Sequence, residues 1–320
     1  MSRPLVYAHR GASGYRPEHT EAAYEVGVRR GADYIEPDLV MTSDGELVVR
    51  HEPEISETTD VAGHPEFAGR RTTKVIDGAS VSGWFTEDFT LAELKTLRAV
   101  ERLPGLRPKN TGFDGRFEIM TFTEVLALRE ALSTEHGREI GVIPEIKHSG
   151  YFHAAGLDPE TALMREVEGA GLNRADAPLW VQSFERGNLQ ALRSEHGYLA
   201  KLLLLVEDSS QIGDLTAIAG FADGIGPDKS LVIPRRADDT LGEPTSLVDD
   251  AHAAGLNVTL WTFRSENAFL PAEYRLGTDP AAHGKAREEL LAYLHTGADA
   301  VFCDQPDVGV AARLALQIDG

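Results

Sequence analysis

Residues 5–39 read LVYAHRGASGYRPEHTEAAYEVGVRRGADYIEPDL. The stretch opens on one apolar run, Leu5–Ala8, and closes on another, Tyr34–Leu39. Between them Glu21–Arg30 has the apolar spacing of an amphipathic helix. Thr20 stands where an N-cap belongs, and Gly31 follows where a left-handed residue ends a helix. Strand, helix, strand in this order is a βαβ unit with two parallel neighbours.

The same rhythm continues along the chain. Further candidate strands are Gly141–Ile146, Leu179–Ser183, Lys201–Val206, Asp223–Gly226, Val258–Phe263 and Ala300–Cys303. The helices expected between them are Phe122–Leu132, Pro159–Ala170, Glu185–His196, Gln211–Phe221, Thr245–Ala254, Ala281–His295 and Asp307–Ile318. Thr90 and Thr121 each precede a glutamate by three residues, the spacing of a capping box. Eight strands of this kind predict an α/β fold, the closed (β/α)₈ TIM barrel. A doubly wound open sheet is the alternative, but no Gly-rich dinucleotide turn follows the first strand.

One region breaks the rhythm. Between His51 and Thr121 the chain is polar, with Gly, Pro and a single helix expected near Leu91–Leu97. Residues 1–320 therefore read as one barrel domain, with 52–120 inserted after the second strand. Long structured loops on a barrel commonly serve as lids or collars, and the alternative is a stabilising excursion remote from the site.

Composition narrows the partners. The net charge of −20 argues against nucleic acid and anionic membrane surfaces, because little would neutralise their phosphates. One small phosphate in a locally basic pocket is still compatible. The single cysteine, Cys303, excludes an internal disulfide and reads as a small buried apolar residue. No apolar stretch is long enough to span a bilayer, and no leader pattern follows Met1-Ser2-Arg3-Pro4. The expectation is a cytoplasmic protein; a chain whose leader had been removed would read the same.

Active sites of such barrels form at the C-terminal ends of the strands. Here those ends read His9-Arg10, Glu36-Pro37-Asp38, Glu145-Ile146-Lys147 and Gln182-Ser183-Phe184, with Trp261-Thr262 and Asp304 near the last two. Residues two apart on a strand share a face, so Glu36 pairs with Asp38 and Glu145 with Lys147. Three carboxylates at one mouth repel unless a cation sits among them. Oxygen-only ligands favour a hard divalent ion, Mg²⁺ or Ca²⁺. The competing reading is an ion network in which Arg10 and Lys147 neutralise the same carboxylates.

His9 and His51 differ from the other histidines, because each ends an apolar strand beside the carboxylates. Imidazole can act as base or acid near neutral pH. Arg10 offers a planar fork to a phosphate oxygen and Lys147 a point charge. Gln182 belongs to the same set. Tyr151, Phe152 and Trp261 are candidates to wall a small organic group. Asp304 reads as a helix N-cap before Pro306.

With these residues in place the chain resembles the glycerophosphodiester phosphodiesterase family. The resemblance rests on Ala8-His9-Arg10-Gly11-Ala12-Ser13-Gly14, Pro17-Glu18-His19-Thr20, Glu36-Pro37-Asp38-Leu39, His51, Pro144-Glu145-Ile146-Lys147, Gln182-Ser183-Phe184 and Asp223-Gly224-Ile225-Gly226-Pro227-Asp228. It looks most like the secreted or periplasmic bacterial subgroup. The resemblance implies hydrolysis of glycerophosphodiesters to glycerol 3-phosphate and an alcohol. It implies Glu36, Asp38 and Glu145 as ligands of one Ca²⁺ or Mg²⁺, His9 and His51 as the acid–base pair, and Arg10 and Lys147 as phosphate contacts. The glycerol 2-hydroxyl would be an internal nucleophile, giving a cyclic phosphate that water opens. Two other substrate classes suit the fold: a lysophospholipid, or a sphingomyelin cleaved to a cyclic phosphate. A non-catalytic binding barrel is the remaining alternative, and it would be expected to have lost one of these residues.

Overall fold

The computed structural model describes residues 3–319. Its wall is a closed ring of parallel strands. They are β1 (Leu5–His9), β2 (Tyr34–Glu36) continued by β3 (Asp38–Met41), β7 (Gly141–Val142) continued by β8 (Glu145–Ile146), β9 (Trp180–Ser183), β10 (Lys201–Val206), β11 (Gly224–Pro227), β12 (Asn257–Phe263) and β13 (Ala300–Cys303). Between the second and third wall strands lie β4 (Leu47–Val49), antiparallel to β3, and the hairpin β5 (Thr72–Ile76)–β6 (Ala79–Gly83). Parallel pairing runs from β1 through β13, β12, β11, β10, β9 and β8 to β3. On the other side β1 pairs with β2, and β2 with β7. A bridge from Val142 to Leu179 helps close the seam. This is the expected eight-stranded barrel.

Two expected strands are each split by a proline. Pro37 separates β2 from β3, and Pro144 stands at the head of β8. Neither residue has an N–H for the ladder. Their carbonyls still pair, accepting from Glu145 N at 2.9 Å and Gln182 N at 2.9 Å. The wall is therefore kinked but continuous.

The helices pack outside. Thr20 caps α1 (Glu21–Arg29). Full capping boxes start α2 (Leu91–Leu94) and α3 (Phe122–His136). Then follow α4 (Ser149–Ala154), α5 (Pro159–Gly169), α6 (Arg186–Ser194), α7 (Leu215–Ala219), α8 (Leu247–Ala253), α9 (Ala286–Leu294) and α10 (Pro306–Asp319). Two helices start four to five residues later than expected. In the expected Gln211–Phe221 helix, Asp208 caps a separate 3₁₀ turn at Ser209–Gln211. Gly213, at φ 59°, then breaks the chain, and Asp214 caps α7 afresh. In the expected Ala281–His295 helix, residues 281–284 form a loop tied to Ser265 and Asn267 instead. No described helix is long and apolar enough to cross a membrane.

The apolar core lies mostly between wall and helices. A smaller cluster fills the barrel interior: Tyr7, Ile143, Trp180, Leu203, Leu205, Ala300 and Phe302. These inward positions decide where the site falls. Stepping two residues toward the C-terminal end keeps the same face. Tyr7 leads to His9, Ile143 to Glu145 and Lys147, Trp180 to Gln182, and Phe302 to Asp304. Residues 52–120 fold as 3₁₀ turns, the β5–β6 hairpin and α2, and reach this end of the barrel through Asp77 to His148, Arg102 to Glu18 and Arg107 to Asp304.

Candidate active site

A cleft at the barrel mouth is lined by His9, Glu36, Asp38, His51, Glu145, Lys147, Gln182, Phe184, Trp261 and Thr262, with Leu205 and Phe302 beneath. The register sets most of these side by side. His9 is opposite Glu36, Asp38 opposite Glu145, and Glu145 opposite Gln182. The cleft holds about 50 Å³, room for a few waters.

The turn after β1 is strained for a purpose visible in its contacts. Arg10 has φ 55°, unusual for a side-chain-bearing residue. Gly11 follows at φ 80°, where a Cβ would lie 2.6 Å from the Ala23 backbone. This geometry aims the Arg10 backbone N–H at Glu36 Oε2, 2.6 Å away. The Arg10 guanidinium turns to Glu18 (3.2 Å) and Asp38 (3.5 Å).

Glu36, Asp38 and Glu145 are buried, and ligand atoms from all three lie within 4.8 Å of one another. Lys147 Nζ sits 2.7 Å from Glu145 Oε1 and 3.5 Å from Asp38 Oδ1. Gln182 Nε2 donates to Glu36 Oε1 at 3.2 Å. Burial, then the neighbouring Asp38 charge, pushes the Glu36 carboxyl well above its ordinary range. Burial and Asp38 raise Glu145 as well, against the pull of Lys147. Asp38 is held low despite burial, because it faces Lys147, His51 and His19. Three carboxylates thus share too little positive charge. Asp38 Oδ1 and Gln182 Oε1 are buried without hydrogen-bond partners. This all-oxygen set, with a surplus of negative charge and orphaned acceptors, fits a hard divalent cation.

Each histidine is tied through Nδ1. His9 Nδ1 lies 2.6 Å from Asp304 Oδ1, and His51 Nδ1 lies 2.5 Å from Glu52 Oε1. Both carboxyls are held well below the usual carboxylate range despite burial. Arg107 and Arg264 face Asp304, while His51 and Arg102 face Glu52. Being ionised they only accept, so Nδ1 carries the proton and Nε2 is left for chemistry. Burial lowers His9 to about 4 and His51 to about 3. For His51 the charges of Arg10 and Lys147 act in the same direction; for His9 the Asp304 charge works against burial.

The structure corrects three expectations. Phe152 lies in the core, fully buried, and Tyr151 packs against that core with its hydroxyl donating to Glu87. Neither lines the cleft, because both belong to α4, whose inner face packs on α5. Trp261 does line it, and Phe184 meets it edge to face at 5.6 Å. Asp304 is no helix cap: its carboxylate goes to His9, Arg107 and Arg264. His19, quoted within a motif but given no role, is fully buried and bridges Asp38 (2.8 Å) to the Tyr24 hydroxyl (2.9 Å). The signal for Asp304 was available, since it continues the inward ladder of β13. Glu52, Arg102 and Arg107 carry no spacing signal.

Residues 9–308 match the model of the glycerophosphoryl diester phosphodiesterase family. A glycerophosphodiester phosphodiesterase of Arabidopsis thaliana is 33% identical over 297 residues, 85% of this chain and 78% of that protein. One from Haemophilus influenzae is 27% identical, covering 97% of this chain and 89% of its own. Among solved structures, a family protein from Silicibacter pomeroyi superposes with TM-score 0.71 at 19% identity, covering 99% of this chain and 95% of that one. An Oleispira antarctica phosphodiesterase in complex with the product sn-glycerol-3-phosphate superposes at 0.65, with 20% identity, 99% and 97% covered. The chain is an enzyme of the glycerophosphoryl diester phosphodiesterase family.

Proposed function

We propose that the enzyme hydrolyses small glycerophosphodiesters to sn-glycerol 3-phosphate and an alcohol, using His9 and His51 as acid and base and one divalent cation, Ca²⁺ or Mg²⁺. The observation that carries this is one cleft holding two histidines with free Nε2 atoms beside a buried three-carboxylate cluster. The product bound by the Oleispira antarctica relative supports the substrate class.

Glu36, Asp38 and Glu145 would hold the cation, which when bound supplies charge stabilisation to a phosphoryl oxygen. Arg10 and Lys147 carry the remaining positive charge beside the carboxylates. In the first step His51 Nε2 takes the proton of the glycerol 2-hydroxyl, whose oxygen attacks phosphorus. The bond from phosphorus to the alcohol oxygen breaks, and His9, which must enter this step as the imidazolium with Nε2 protonated as well as Nδ1, gives that oxygen the Nε2 proton. In the second step His9 takes a proton from water as water opens the cyclic phosphate, and His51 returns its proton to the 2-oxygen. The internal hydroxyl is already in position, which removes the entropy of bringing in a second reactant. The environments support this assignment: Asp304 is the strongest charge raising His9, whereas Arg10 and Lys147 are the strongest charges acting on His51 and both lower it.

Phosphorus NMR of glycerophosphocholine turnover tests the reading. Glycerol 3-phosphate should appear, and His9→Ala or His51→Ala should slow it by about 10²–10⁴-fold while staying folded. Undiminished turnover by either variant rejects the two-histidine mechanism.

A further inference from the structure

Behind each candidate histidine stands a carboxylate, and behind each carboxylate stands an arginine. Both arginines come from one six-residue stretch of the inserted region, Arg102-Leu103-Pro104-Gly105-Leu106-Arg107. Arg102 grips Glu52 with Nη1 at 3.0 Å and Nη2 at 2.6 Å. Its other edge grips Glu18, with Nε at 2.8 Å and Nη2 at 2.7 Å. Glu18 in turn accepts from Arg10. Arg107 donates Nη2 to Asp304, Nε to Glu266 at 2.7 Å and Nη1 to the Ser13 carbonyl at 3.0 Å. All three nitrogens of both guanidinium groups are engaged.

The stretch is braced by itself and by the barrel. Arg107 N donates to Leu103 O at 2.8 Å. Leu103 N donates to Glu101 Oε1 at 2.8 Å, and Asn110 Nδ2 to Glu101 Oε2 at 2.9 Å. Glu101, Arg107 and Asn110 are all buried. Burying an arginine so thoroughly is costly unless its charge and donors are satisfied.

We propose that the Arg102–Arg107 turn is a positioning element for the reaction, fixing both imidazoles through their carboxylates and, through Glu18, the Arg10 guanidinium as well. The inference rests on the acid–base reading of His9 and His51. A lone carboxylate can rotate about its side chain; the two-pronged Arg102 contact fixes the plane of Glu52, while Arg107 Nη2, itself fixed by Glu266 and Ser13, holds Asp304 together with Arg264 Nε at 3.1 Å. The fixed oxygen then fixes the Nδ1–H, and the ring presents Nε2 to the cleft. Groups that orient first-contact residues in this way commonly matter 10–100-fold in related sites, by order of magnitude.

The two arginines differ in what they hold, and the test uses that difference. Arg107→Gln loosens His9 alone, so kcat should fall by about 10–100-fold with KM within about threefold. Arg102→Gln loosens His51 and Arg10 together, so kcat should fall and KM should also rise by about tenfold. Arg107→Lys keeps a positive charge beside Asp304 but cannot also hold Glu266 and the Ser13 carbonyl, and should recover part of the loss. Long-range ¹H–¹⁵N spectra should show a single Nδ1–H tautomer for His9 in the wild type and a mixed one in Arg107→Gln.

Two results overturn the inference. One is kcat and KM within threefold of wild type in both glutamine variants. The other is a loss that only tracks the folded fraction, with the tautomer signal unchanged. His9→Ala and His51→Ala separate the failures. If they are inactive while the arginine variants are fully active, only the positioning role fails. If they turn over like wild type, the acid–base reading fails and this inference with it.

Discussion

The barrel wall has two unlike arcs. One arc, β1 to β8, is cut by Pro37 and Pro144, and its inward ladder ends in His9, Glu36, Asp38, Glu145 and Lys147. The other, β9 to β12, has no strand split by a proline, only a register shift of β12 against β13 between Leu260 and Phe263, and its inward residues include Trp180, Leu203 and Leu205, with Gln182 at the rim. The prolines show how an ionisable arc survives in a sheet. Each gives up a donor but keeps its carbonyl, so Glu145 N and Gln182 N are paired across the breaks. The kinked arc holds the ionisable groups of the cleft; the other arc is mostly packing, with Gln182, Trp261 and Thr262 at the cleft.

Substitutions in the two arcs should separate activity from stability. In the kinked arc Glu36→Gln, Asp38→Asn or Glu145→Gln should cost about 10²–10³-fold or more in kcat/KM, with little loss of fold. In the other arc Leu203→Ala should cost about 2–5 kcal/mol in a urea titration while the folded molecules keep their kcat. A folded but inactive Leu203→Ala would break the comparison.

His19 lies behind the kinked arc, bonded to Asp38. His19→Phe should weaken cation binding by about 10–100-fold in calorimetry, and His19→Asn by less, since an amide can still donate. Equal affinities would assign His19 to packing alone.

Acid should act unequally on the same arc. Burial holds His9 near 4 in the folded protein, against about 6.5 in the unfolded chain. Between those values the unfolded state binds more protons, so this histidine's contribution falls as pH falls. Glu36 and Glu145, raised by burial, act in the opposite sense over part of the range. The difference between wild type and His9→Asn isolates the histidine. The variant should gain about 1 kcal/mol relative to wild type for each pH unit between about 6.5 and 4, and no more below that, in metal-free urea titrations. Parallel stability curves would contradict the buried neutral imidazole.

The smallest effect belongs to the rim. Phe184 is 39% exposed and packs edge-on to Trp261. Phe184→Ala should raise KM a few-fold, about 1 kcal/mol, with kcat preserved.

How much was readable in the chain follows the same division. The wall strands announced themselves, because apolar runs alternating with amphipathic helices have one good solution. Lys201–Val206 and Ala300–Cys303 agree with the structure to the residue. The C-terminal-end rule then gathered residues as far apart as His9 and Gln182. For Asp304 local spacing offers two readings, the inward face of β13 shared with Phe302 and a helix start before Pro306, and the contact with His9 decides between them. Local spacing could not show Arg102 and Arg107, whose partners lie tens to hundreds of residues away and have no common period. Phe152 misled for a related reason: an aromatic after an active-site strand can face the cleft or the core, and the helix geometry of α4 decides.

The central claim is that Glu36, Asp38 and Glu145 hold a divalent cation that phosphodiester hydrolysis requires. The direct measurement is glycerophosphocholine turnover by metal-stripped protein, followed by titration with Ca²⁺ and Mg²⁺, in wild type and Asp38→Asn. The stripped wild type should give no glycerol 3-phosphate and should recover on adding one of the two ions, whereas Asp38→Asn should not recover at the same concentration. Full turnover in the presence of chelator, or full rescue of Asp38→Asn, would contradict it.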